Sequence, residues 1–379
     1  MDFLLNNEQL AFKEVVNSFA KEKMEPYAAQ WDEEKILPKN LLKDAAKLGL
    51  AGIYVSEEFG GAGLSRMDAA IVFEELSTAC PSTSAFLSIH NMVTWMVSNY
   101  GNELIRNRFL KKLIEMNYIS SYCLTEPGAG SDAASLSTRA EKKGKNYILN
   151  GTKSFISGAT ISDVYLTMVR TGTKGSEGIS CLLVENNSEG LSFGKLENKM
   201  GWNSQPTAQV IFENCKVPIE NILGREGDGF KIAMQGLDGG RINIAACSLG
   251  AAKSCLERSV KYVNERKQFG KKISDFQSTQ FKLADMATEL EAARLMIYKA
   301  AASLDNKEKN STTICAMAKR YATDIGFKIC NEALQLHGGY GYLSEYSIER
   351  FVRDCRVHQI LEGTNEIMRV IISKNILDK

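Results

Sequence analysis

The chain has 379 residues, of which 46 are basic and 45 are acidic. This length exceeds the size at which one hydrophobic core usually stops growing, so we expect two or three domains. The nearly balanced charge disfavours nucleic acid, an acidic membrane surface and polyanionic substrates as partners. Nine scattered cysteines without a C-x-x-C pair are typical of a reduced, intracellular protein, and no apolar run is long enough to predict a membrane-spanning helix.

The N-terminal stretch 1–8 lacks the basic start of a secretory signal and the Arg/Ser-rich character of a transit peptide. This predicts a cytoplasmic bacterial protein, or a processed eukaryotic form from the mitochondrial matrix.

Apolar residues at helical spacing over 8–29 and 66–79 predict helices, and we place an N-terminal α-helical domain at residues 1–120. The pattern then changes to short runs rich in β-branched and aromatic residues, separated by glycines. These runs predict strands in a middle β-domain of residues 121–225, at 147–149, 164–169, 179–184 and 209–212.

The last proline is Pro218, so the C-terminal part of the chain can form long helices. Apolar residues in steps of three and four predict one helix over about 276–304 and a second that includes 314–329. We expect them to be antiparallel neighbours in a C-terminal four-helix bundle of residues 226–379. The predicted fold class is α+β multidomain, in the order α, β, α.

The sequence motifs favour neither a dinucleotide-binding site nor a metal site. The glycine pairs at 61/63, 128/130 and 339/341 all lack the third glycine of a dinucleotide fingerprint, and no phosphate-binding loop occurs, which disfavours a Rossmann dehydrogenase. His90, His337 and His358 have no metal-ligand spacing, so we expect structural hydrogen bonds from them and no metal.

One carboxylate stands out near the C-terminus. In the stretch 360–366, Glu362 lies among apolar and small residues between two helical segments, which predicts a buried base. The stretch 122–131 predicts a strand followed by a Pro-Gly-x-Gly turn, whose free backbone N–H groups can approach a phosphate or a polar ring edge. Such a turn alone also fits any hairpin.

Taken together, Glu362 with its neighbours and the stretch 123–132 resemble the acyl-CoA dehydrogenase family. The second signature of that family is met at 335–342, and the resemblance covers essentially the whole chain. It implies FAD as cofactor, shared between neighbouring subunits, and hence an obligate oligomer, usually a homotetramer built as a dimer of dimers. The cofactor-binding residues that it implies are Tyr122, Leu124, Thr125, Gly130, Ser131, Phe155, Ser157, Arg266, Phe269, Gln277, Gln335, Gly338, Gly339, Thr364 and Glu366.

Some of these positions have specific expectations. Phe155 stands where many members have tryptophan, and Ser157 where many have threonine near flavin N5. Arg266 and the Gly338–Gly339 loop are expected at the pyrophosphate of a neighbouring subunit's FAD, since guanidinium forms paired hydrogen bonds with phosphate. Without the resemblance, the two glycines would be an ordinary helix C-cap and Gln335 a surface amide.

The implied chemistry is α,β-dehydrogenation of an acyl thioester, with Glu362 as the catalytic base for the α-proton. Its sequence neighbours offer no charge partner, so burial is expected to raise its pKa. One branch of the family carries its glutamate at the position of Gly240, and glycine there leaves Glu362 as the candidate. The implied substrate-binding residues are Ser131, Asp238, Arg241 and Gly363.

Without the resemblance, two other interpretations apply. Asp238 and Arg241 form an i,i+3 ion pair at a solvated helix start. Glu362 then stabilises the N-terminus of the following helix instead of acting as a base.

The stretches 88–93, 201–207, 241–245 and 356–363 resemble the short, branched-chain subgroup of the family. This implies conversion of isobutyryl-CoA to methacrylyl-CoA in valine catabolism, with an electron-transfer flavoprotein as acceptor. Because one methylene changes binding by only ~1–3 kcal/mol, butyryl-CoA and 2-methylbutyryl-CoA remain alternatives. Two further alternatives are a nucleic-acid-associated flavoprotein, against which the net charge of +1 counts, and an oxidase that uses oxygen directly.

Overall fold

The computed structural model describes residues 5–377. Its N-terminal part is helical, as predicted. The helices are α1 (Asn7–Phe19), α2 (Ala28–Glu34), α3 (Lys39–Lys47), α4 (Arg66–Ser77), α5 (Pro81–Tyr100), α6 (Glu103–Ile105) and α7 (Lys111–Ile114).

The single helix predicted over 8–29 was wrong in extent. The α-helix ends at Phe19, continues as a π-helical turn over Ala20–Met24, and resumes only at Ala28. Pro26 explains the break, because proline has no N–H to donate and disfavours helical geometry in the residue before it.

The prediction of a helix at 66–79 was confirmed as α4. Ser65 caps this helix through a reciprocal pair of hydrogen bonds with Asp68. A second cap comes from Asp305, whose carboxylate accepts the backbone N–H groups of Arg66 and Met67 at 2.9 and 3.2 Å. This fixes the start of α4 against the C-terminal domain.

The middle part is a mixed β-sheet, and every predicted strand lies within a longer observed one. The strands are β1 (Ser120–Cys123), β2 (Arg139–Lys143), β3 (Asn146–Ser157), β4 (Val164–Arg170), β5 (Ile179–Glu185), β6 (Leu191–Phe193), β7 (Thr207–Pro218) and β8 (Ile222–Leu223). They are ordered β6-β7-β3-β2-β4-β5-β8, with β1 parallel to β4. Because β1 is paired with β4, the turn that follows β1 begins next to Thr167 of β4.

The C-terminal part consists of α8 (Gly229–Glu265), a small hairpin of β9 (Lys267–Gln268) and β10 (Lys271–Lys272), then α9 (Gln277–Asp305), α10 (Ser311–His337), α11 (Ile348–His358) and α12 (Asn365–Ile376). The two predicted long helices are α9 and α10. The longest helix, α8, has 37 residues and was not predicted as an element.

The N-terminal and C-terminal helices share one hydrophobic core. Val16 of α1 and Phe73 of α4 belong to the same buried cluster as Ala245, Ile297 and Ile329 of α8, α9 and α10. Within residues 5–377, no helix is both long and apolar enough to span a membrane. Helix α8 lies in this shared core and also packs against strands of the sheet. Its residues can therefore contact both the helical domains and the β-domain.

Candidate active site

Glu362 lies in the loop between α11 and α12, in an unusual backbone conformation. Its φ angle is 55° and that of Gly363 is 86°, so two consecutive residues are left-handed. Such a conformation is uncommon for a residue with a side chain and is typical of functional sites. The residue as a whole is partly exposed, but its Oε2 atom is buried and has no hydrogen-bond partner among the described residues.

The electrostatic surroundings of Glu362 differ from the prediction in one respect. Burial raises the pKa of Glu362 to about 7, which was the expected direction. The prediction considered only the sequence neighbours of Glu362, which offer no charge partner, whereas the positive charges of Arg241 on α8 and Lys319 on α10 lower its pKa in the folded chain. Neither cation is a sequence neighbour, and only the fold brings them to the carboxylate.

The alternative in which Glu362 caps the following helix is not what the structure shows. The cap of α12 is Thr364, whose Oγ1 accepts the N–H of Ile367 at 3.3 Å. Glu362 is therefore not required for the start of this helix. The carboxylate at the end of the first turn, Glu366, points outward toward Arg369 at 3.5 Å.

Three glycines on α8 allow large side chains to approach its backbone. A Cβ atom at Gly240 would lie 2.6 Å from Glu362 Oε2. At Gly239 it would meet the guanidinium of Arg66, and at Gly236 the methyl group of Met96. Position 240 thus faces the carboxylate directly, and glycine there leaves room for it.

Asp238 and Arg241 form the expected ion pair, at 2.6 Å, but not at a solvated helix start. They lie inside α8, and their exposed fractions are 8% and 4%. Thr312 Oγ1 donates to the second oxygen of Asp238 at 2.7 Å, and Arg241 Nε donates to the backbone carbonyl of Glu362 at 3.4 Å. The bond from Arg241 connects the ion pair directly to the loop that carries Glu362.

Further polar atoms around Glu362 have no partner among residues 5–377. These are the hydroxyl of Tyr122 and the Oδ1 atom of Asn243. Burial raises the pKa of Tyr122 well above its ordinary value, and the charge of Glu362 raises it further. Asn243 donates to the hydroxyl of Tyr54 at 3.3 Å. A polar ligand at this place would satisfy groups that the protein alone leaves unpaired.

Sequence reasoning missed Tyr54, Arg66 and Lys319. Arg66 stacks over the rings of Tyr54 and Trp95, with its Cζ atom 3.6 and 4.8 Å from their centroids. No local pattern marks these residues, because Tyr54 and Arg66 lie near the N-terminus, far in sequence from Lys319 and from Glu362. Asn243 lay in one of the stretches that resemble the branched-chain subgroup, but nothing singled it out.

The turn after β1 is held from inside by a buried ion pair. Glu126 accepts Lys153 Nζ at 2.7 Å and the backbone N–H groups of Ser137 and Thr138 at 2.6 and 2.9 Å. The outer side of the turn, with Gly130 and Ser131, is exposed. The backbone of the turn is thus fixed while its outer face stays free.

The structure brings the end of β3 next to this turn. Ser154 N–H donates to the carbonyl of Thr125 at 2.8 Å, and Ser121 Oγ donates to the carbonyl of Ser157 at 2.6 Å. Between them, Phe155 has a φ angle of 58° and is 69% exposed. Exposed Phe155 therefore lies beside the partly buried residues Ser157, Leu124 and Thr125, next to the turn after β1.

Six further predicted cofactor residues, Arg266, Phe269, Gln277, Gln335, Gly338 and Gly339, form a second group at one end of the bundle, whereas Thr364 and Glu366 lie at the start of α12. Arg266 follows α8, Gln277 begins α9, and Gln335 lies in the last turn of α10. Gly338, with a φ angle of 59°, is the C-cap of α10, so the ordinary interpretation of this glycine also holds. The group is exposed: Phe269 is 92% accessible, and a Cβ at Gly338 or Gly339 would meet nothing within 4 Å.

The three histidines are structural, as expected. His90 bonds to the carbonyl of Leu113 at 2.9 Å, and His337 to that of Ala333 at 2.8 Å. His358 lies between the hydroxyl of Ser248 and the indole of Trp202. In the described part of the chain, no group of three His, Cys, Asp or Glu side chains is arranged to hold a metal ion.

The comparisons with known proteins agree with this architecture. Models of the acyl-CoA dehydrogenase N-terminal, middle and C-terminal domains match residues 6–117, 121–215 and 227–377. The chain therefore belongs to the acyl-CoA dehydrogenase family. Its fold and its class of reaction follow: it is an FAD-dependent enzyme that dehydrogenates acyl-CoA thioesters.

Individual relatives are similar over nearly the whole length. The mitochondrial isobutyryl-CoA dehydrogenase of Dictyostelium discoideum is 55% identical over 373 residues, which is 98% of this chain and 90% of the relative. The mitochondrial isobutyryl-CoA dehydrogenase of Bos taurus is 52% identical over 375 residues, 99% of this chain and 90% of the relative. The structure of butyryl-CoA dehydrogenase from Megasphaera elsdenii superimposes with a TM-score of 0.96 at 38% identity and covers 100% of both chains.

Proposed function

We propose that this enzyme converts isobutyryl-CoA to methacrylyl-CoA, a step of valine catabolism, with Glu362 as the catalytic base. The observation that carries the role of Glu362 is its buried Oε2 atom, which has no partner among residues 5–377, together with a pKa of about 7. A base works best when its pKa lies near the operating pH, because the ionised form is then available and still basic. An ordinary exposed glutamate is a much weaker base.

Glu362 and the residues around it are proposed to abstract the α-proton, bind the thioester carbonyl and bind the remainder of the substrate. Glu362 accepts the α-proton, and its own backbone N–H is expected to bind the thioester carbonyl and stabilise negative charge on that oxygen. Arg241, Asp238, Ser131 and Gly363 are proposed to bind the substrate. Arg241 also bonds to the Glu362 carbonyl at 3.4 Å, so substrate binding and base positioning share one side chain.

FAD, when bound, supplies the acceptor for the β-hydrogen, which leaves as hydride. The exposed Phe155, the free hydroxyl of Tyr122 and the open backbone at Gly130 and Ser131 fit an aromatic ring system with polar edges. In one chain we assign to this group Tyr122, Leu124, Thr125, Gly130, Ser131, Phe155, Ser157, Thr364 and Glu366. From a neighbouring chain we assign Arg266, Phe269, Gln277, Gln335, Gly338 and Gly339.

A short acyl chain is supported by the side chains that crowd α8 beside Glu362. Arg66 and Met96 occupy the space next to Gly239 and Gly236, and Tyr54 lies next to Asn243. Bulky side chains on this face of α8 are consistent with a short acyl chain. Two relatives at 55% and 52% identity are isobutyryl-CoA dehydrogenases, which favours the branched substrate over butyryl-CoA and 2-methylbutyryl-CoA.

The proposed function also implies an oligomeric state, an electron acceptor and a cellular compartment. We infer that the enzyme is a homotetramer and passes its electrons to an electron-transfer flavoprotein, either in a bacterial cytoplasm or in the mitochondrial matrix. We also keep the division into domains at residues 1–120, 121–225 and 226–379.

The test is the anaerobic visible spectrum of the purified holoenzyme during addition of isobutyryl-CoA, butyryl-CoA or 2-methylbutyryl-CoA. We expect the flavin to bleach fastest with isobutyryl-CoA. In Glu362→Gln the FAD should be retained but the bleaching rate should fall by about 10²–10⁴-fold, since a positioned base contributes about that much. Glu308→Gln, at an exposed position between α9 and α10, is the matched control and should behave like the wild type.

Three outcomes would contradict parts of the proposal. An unchanged rate in Glu362→Gln would overturn its role as base. Faster bleaching by butyryl-CoA would move the assignment to a straight-chain substrate. Rapid reoxidation by oxygen in preference to an electron-transfer flavoprotein would indicate an oxidase.

A further inference from the structure

Lys319 is a fully buried lysine beside the base. It lies on α10 with no exposed surface, and its Nζ atom donates to the carbonyl of Gly363 at 2.8 Å and to Asn365 Oδ1 at 2.9 Å. Lysine is almost never fully buried unless it is paired, because removing an ammonium group from water is costly. Through these bonds Lys319 connects α10 to the loop that carries Glu362 and to Asn365, the first residue of α12.

The same stretch of α10 holds the remainder of that loop. Asn365 Nδ2 donates to Asp324 Oδ1 at 2.7 Å and to Thr323 Oγ1 at 3.0 Å. At the other end of the loop, Gln359 Nε2 donates to Asp324 Oδ1 at 2.8 Å, and its carbonyl accepts Asn365 N–H at 3.0 Å. Both ends of the loop therefore have hydrogen bonds that do not involve Lys319, and Lys319 adds a bond to Asn365 at one end and a bond to the Gly363 carbonyl in the middle.

The middle of the loop is where the backbone is strained. Glu362 and Gly363 are both left-handed, and such a conformation persists only when the surroundings determine it. The Gly363 carbonyl belongs to the peptide unit directly after this pair of residues. A hydrogen bond from Lys319 to that oxygen fixes the orientation of the peptide and, with it, the direction in which the Glu362 side chain leaves the loop.

Several charged and titratable groups face the two residues. Those that face Glu362 are Arg241 on α8, Lys319 on α10, Tyr122 on β1 and Tyr54 before α4. Those that face Lys319 are Glu362, Arg241, Asp324, Glu366 and His358. Burial lowers the pKa of Lys319 to about 7, and the charge of Glu362 opposes this shift. Each of the two groups thus favours the ionised form of the other.

We propose that Lys319 is a positioning residue for the base: it holds the Glu362–Gly363 turn through the Gly363 carbonyl and keeps Glu362 in its carboxylate form. The inference rests on the proposed role of Glu362. Lys319 is assigned no contact with the substrate. It acts through one backbone oxygen and through its charge.

The test compares wild-type holoenzyme with Lys319→Met and with Lys253→Met as the matched control. Lys253 is also a shielded lysine, paired with Glu75 at 2.8 Å on the far part of α8. The probe is a 3-thia-acyl-CoA, which can lose an α-proton but has no β-hydrogen to transfer, so that the pH profile of its deprotonation measures the base alone. FAD content and far-UV circular dichroism are recorded for each variant.

The sign of the expected shift follows from the charges. Lys319 lowers the pKa of Glu362, so its removal raises that pKa and moves the acid limb of the profile to higher pH. A shift of one pH unit makes deprotonation at pH 6 about tenfold slower than in the wild type, with partial recovery at alkaline pH. Lys253→Met should leave the limb in place even if it lowers the thermal midpoint.

A second variant separates charge from folding. Lys319→Gln lacks the charge but can still donate to the Gly363 carbonyl, so it should shift the limb with less loss of the maximal rate, and it replaces the methionine variant if that protein does not fold. An acid limb that stays at the wild-type pH in either folded variant would overturn the proposal. Failure of Glu362 itself as the base would appear separately, as unchanged deprotonation in Glu362→Gln.

Discussion

The small size of one residue decides where the base can stand. Gly240 lies on the face of α8 that meets Glu362, and a methyl group there would come within 2.6 Å of Oε2. The contact is with the end of a flexible side chain rather than with backbone, so the carboxylate can move and the fold can tolerate the change. What is lost is the position of the base.

Gly240→Ala should therefore separate stability from activity. Alanine in a helix interior is favoured over glycine by about 1 kcal/mol, so the thermal midpoint should not fall. A displacement of the carboxylate by about 1 Å is enough to slow the reaction by up to about 10²-fold. The measurement is the rate of anaerobic flavin bleaching by isobutyryl-CoA, beside a thermal melt. Lys261→Ala, at an exposed position of the same helix, serves as control.

An unchanged rate in Gly240→Ala would mean that the Glu362 carboxylate does not need the place it occupies. That result would count against its role as base even if the alanine variant were more stable than the wild type.

Among the elements, the turn after β1 shows how a buried charge pair supports a binding surface. Lys153 and Glu126 are 0% and 5% exposed, and their ion pair measures 2.7 Å. Burial by itself would raise the pKa of Glu126, but Lys153 and the hydrogen bonds from Ser137 and Thr138 lower it to about 2. The pair keeps the turn rigid beneath the proposed cofactor surface.

Lys153→Met should leave the Glu126 carboxylate buried and unpaired. Breaking a buried pair in this way typically costs about 3–5 kcal/mol, whereas replacing both partners costs less. We expect a large loss of stability at pH 7 in denaturant unfolding, and partial recovery in Lys153→Met combined with Glu126→Gln. A single variant as stable as the wild type would show that the pair contributes nothing to the fold.

The wild-type pH dependence gives an independent check of the same pair. Because the pKa of Glu126 is depressed in the folded state, its stabilising contribution is complete above the ordinary glutamate pKa of about 4.3 and is lost as the pH falls toward 2. Glu126→Gln should lack this part of the acid-induced loss.

The features that sequence patterns predicted are those encoded locally. The apolar stripes of α9 and α10 and the runs within β3, β4, β5 and β7 repeat at the period of their own element, so a short window of sequence is sufficient. The role proposed for Glu362 came from a motif around it. Even the break between α1 and α2 had a signal in Pro26, which the interpretation of 8–29 as one helix did not use.

The features that were not predicted arise where distant segments meet. The charge of Lys319 lowers the pKa of Glu362, the charge of Glu362 raises the pKa of Tyr54, and Arg66 packs on Tyr54, although none of the three is within 40 residues of Glu362 in sequence. The burial of Asp238 and Arg241 likewise depends on packing around α8, because the same i,i+3 pair on an exposed helix would be solvated. Local patterns carry no information about which side chains a tertiary fold places next to a carboxylate.

At the scale of the whole molecule, the two aromatic side chains with the highest exposed fractions among residues 5–377 lie at one end of the bundle. Phe269 is 92% and Tyr342 79% exposed, and Arg266 lies under the ring of Tyr340 at 5.5 Å. Exposed aromatic clusters of this kind mark places where another surface binds. The end of the bundle where they lie also carries the predicted contacts to a neighbouring subunit's FAD.

Phe269→Asp should therefore change both the assembly and the cofactor content. If two chains share each FAD, introducing a charge at this interface should reduce the native mass from four chains to smaller species and, at the same time, lower the flavin-to-protein ratio. A central aromatic residue of an interface often contributes 2 kcal/mol or more, about 30-fold in the association constant. Light scattering after size-exclusion chromatography, with the absorbance ratio of flavin to protein, measures both quantities.

The native mass and the flavin-to-protein ratio together show whether each FAD is held by one chain or by two. Leu104→Asp, at an apolar position in α6 that is 66% exposed, controls for a surface charge as such and should change neither quantity. Dissociation with full retention of FAD would show that one chain holds the cofactor alone, and would remove Arg266, Gln335 and the Gly338–Gly339 loop from the cofactor site. A wild-type protein that is monomeric yet fully loaded with FAD would contradict the shared site altogether, because the exposed end of the bundle would then have no neighbour whose cofactor it could bind.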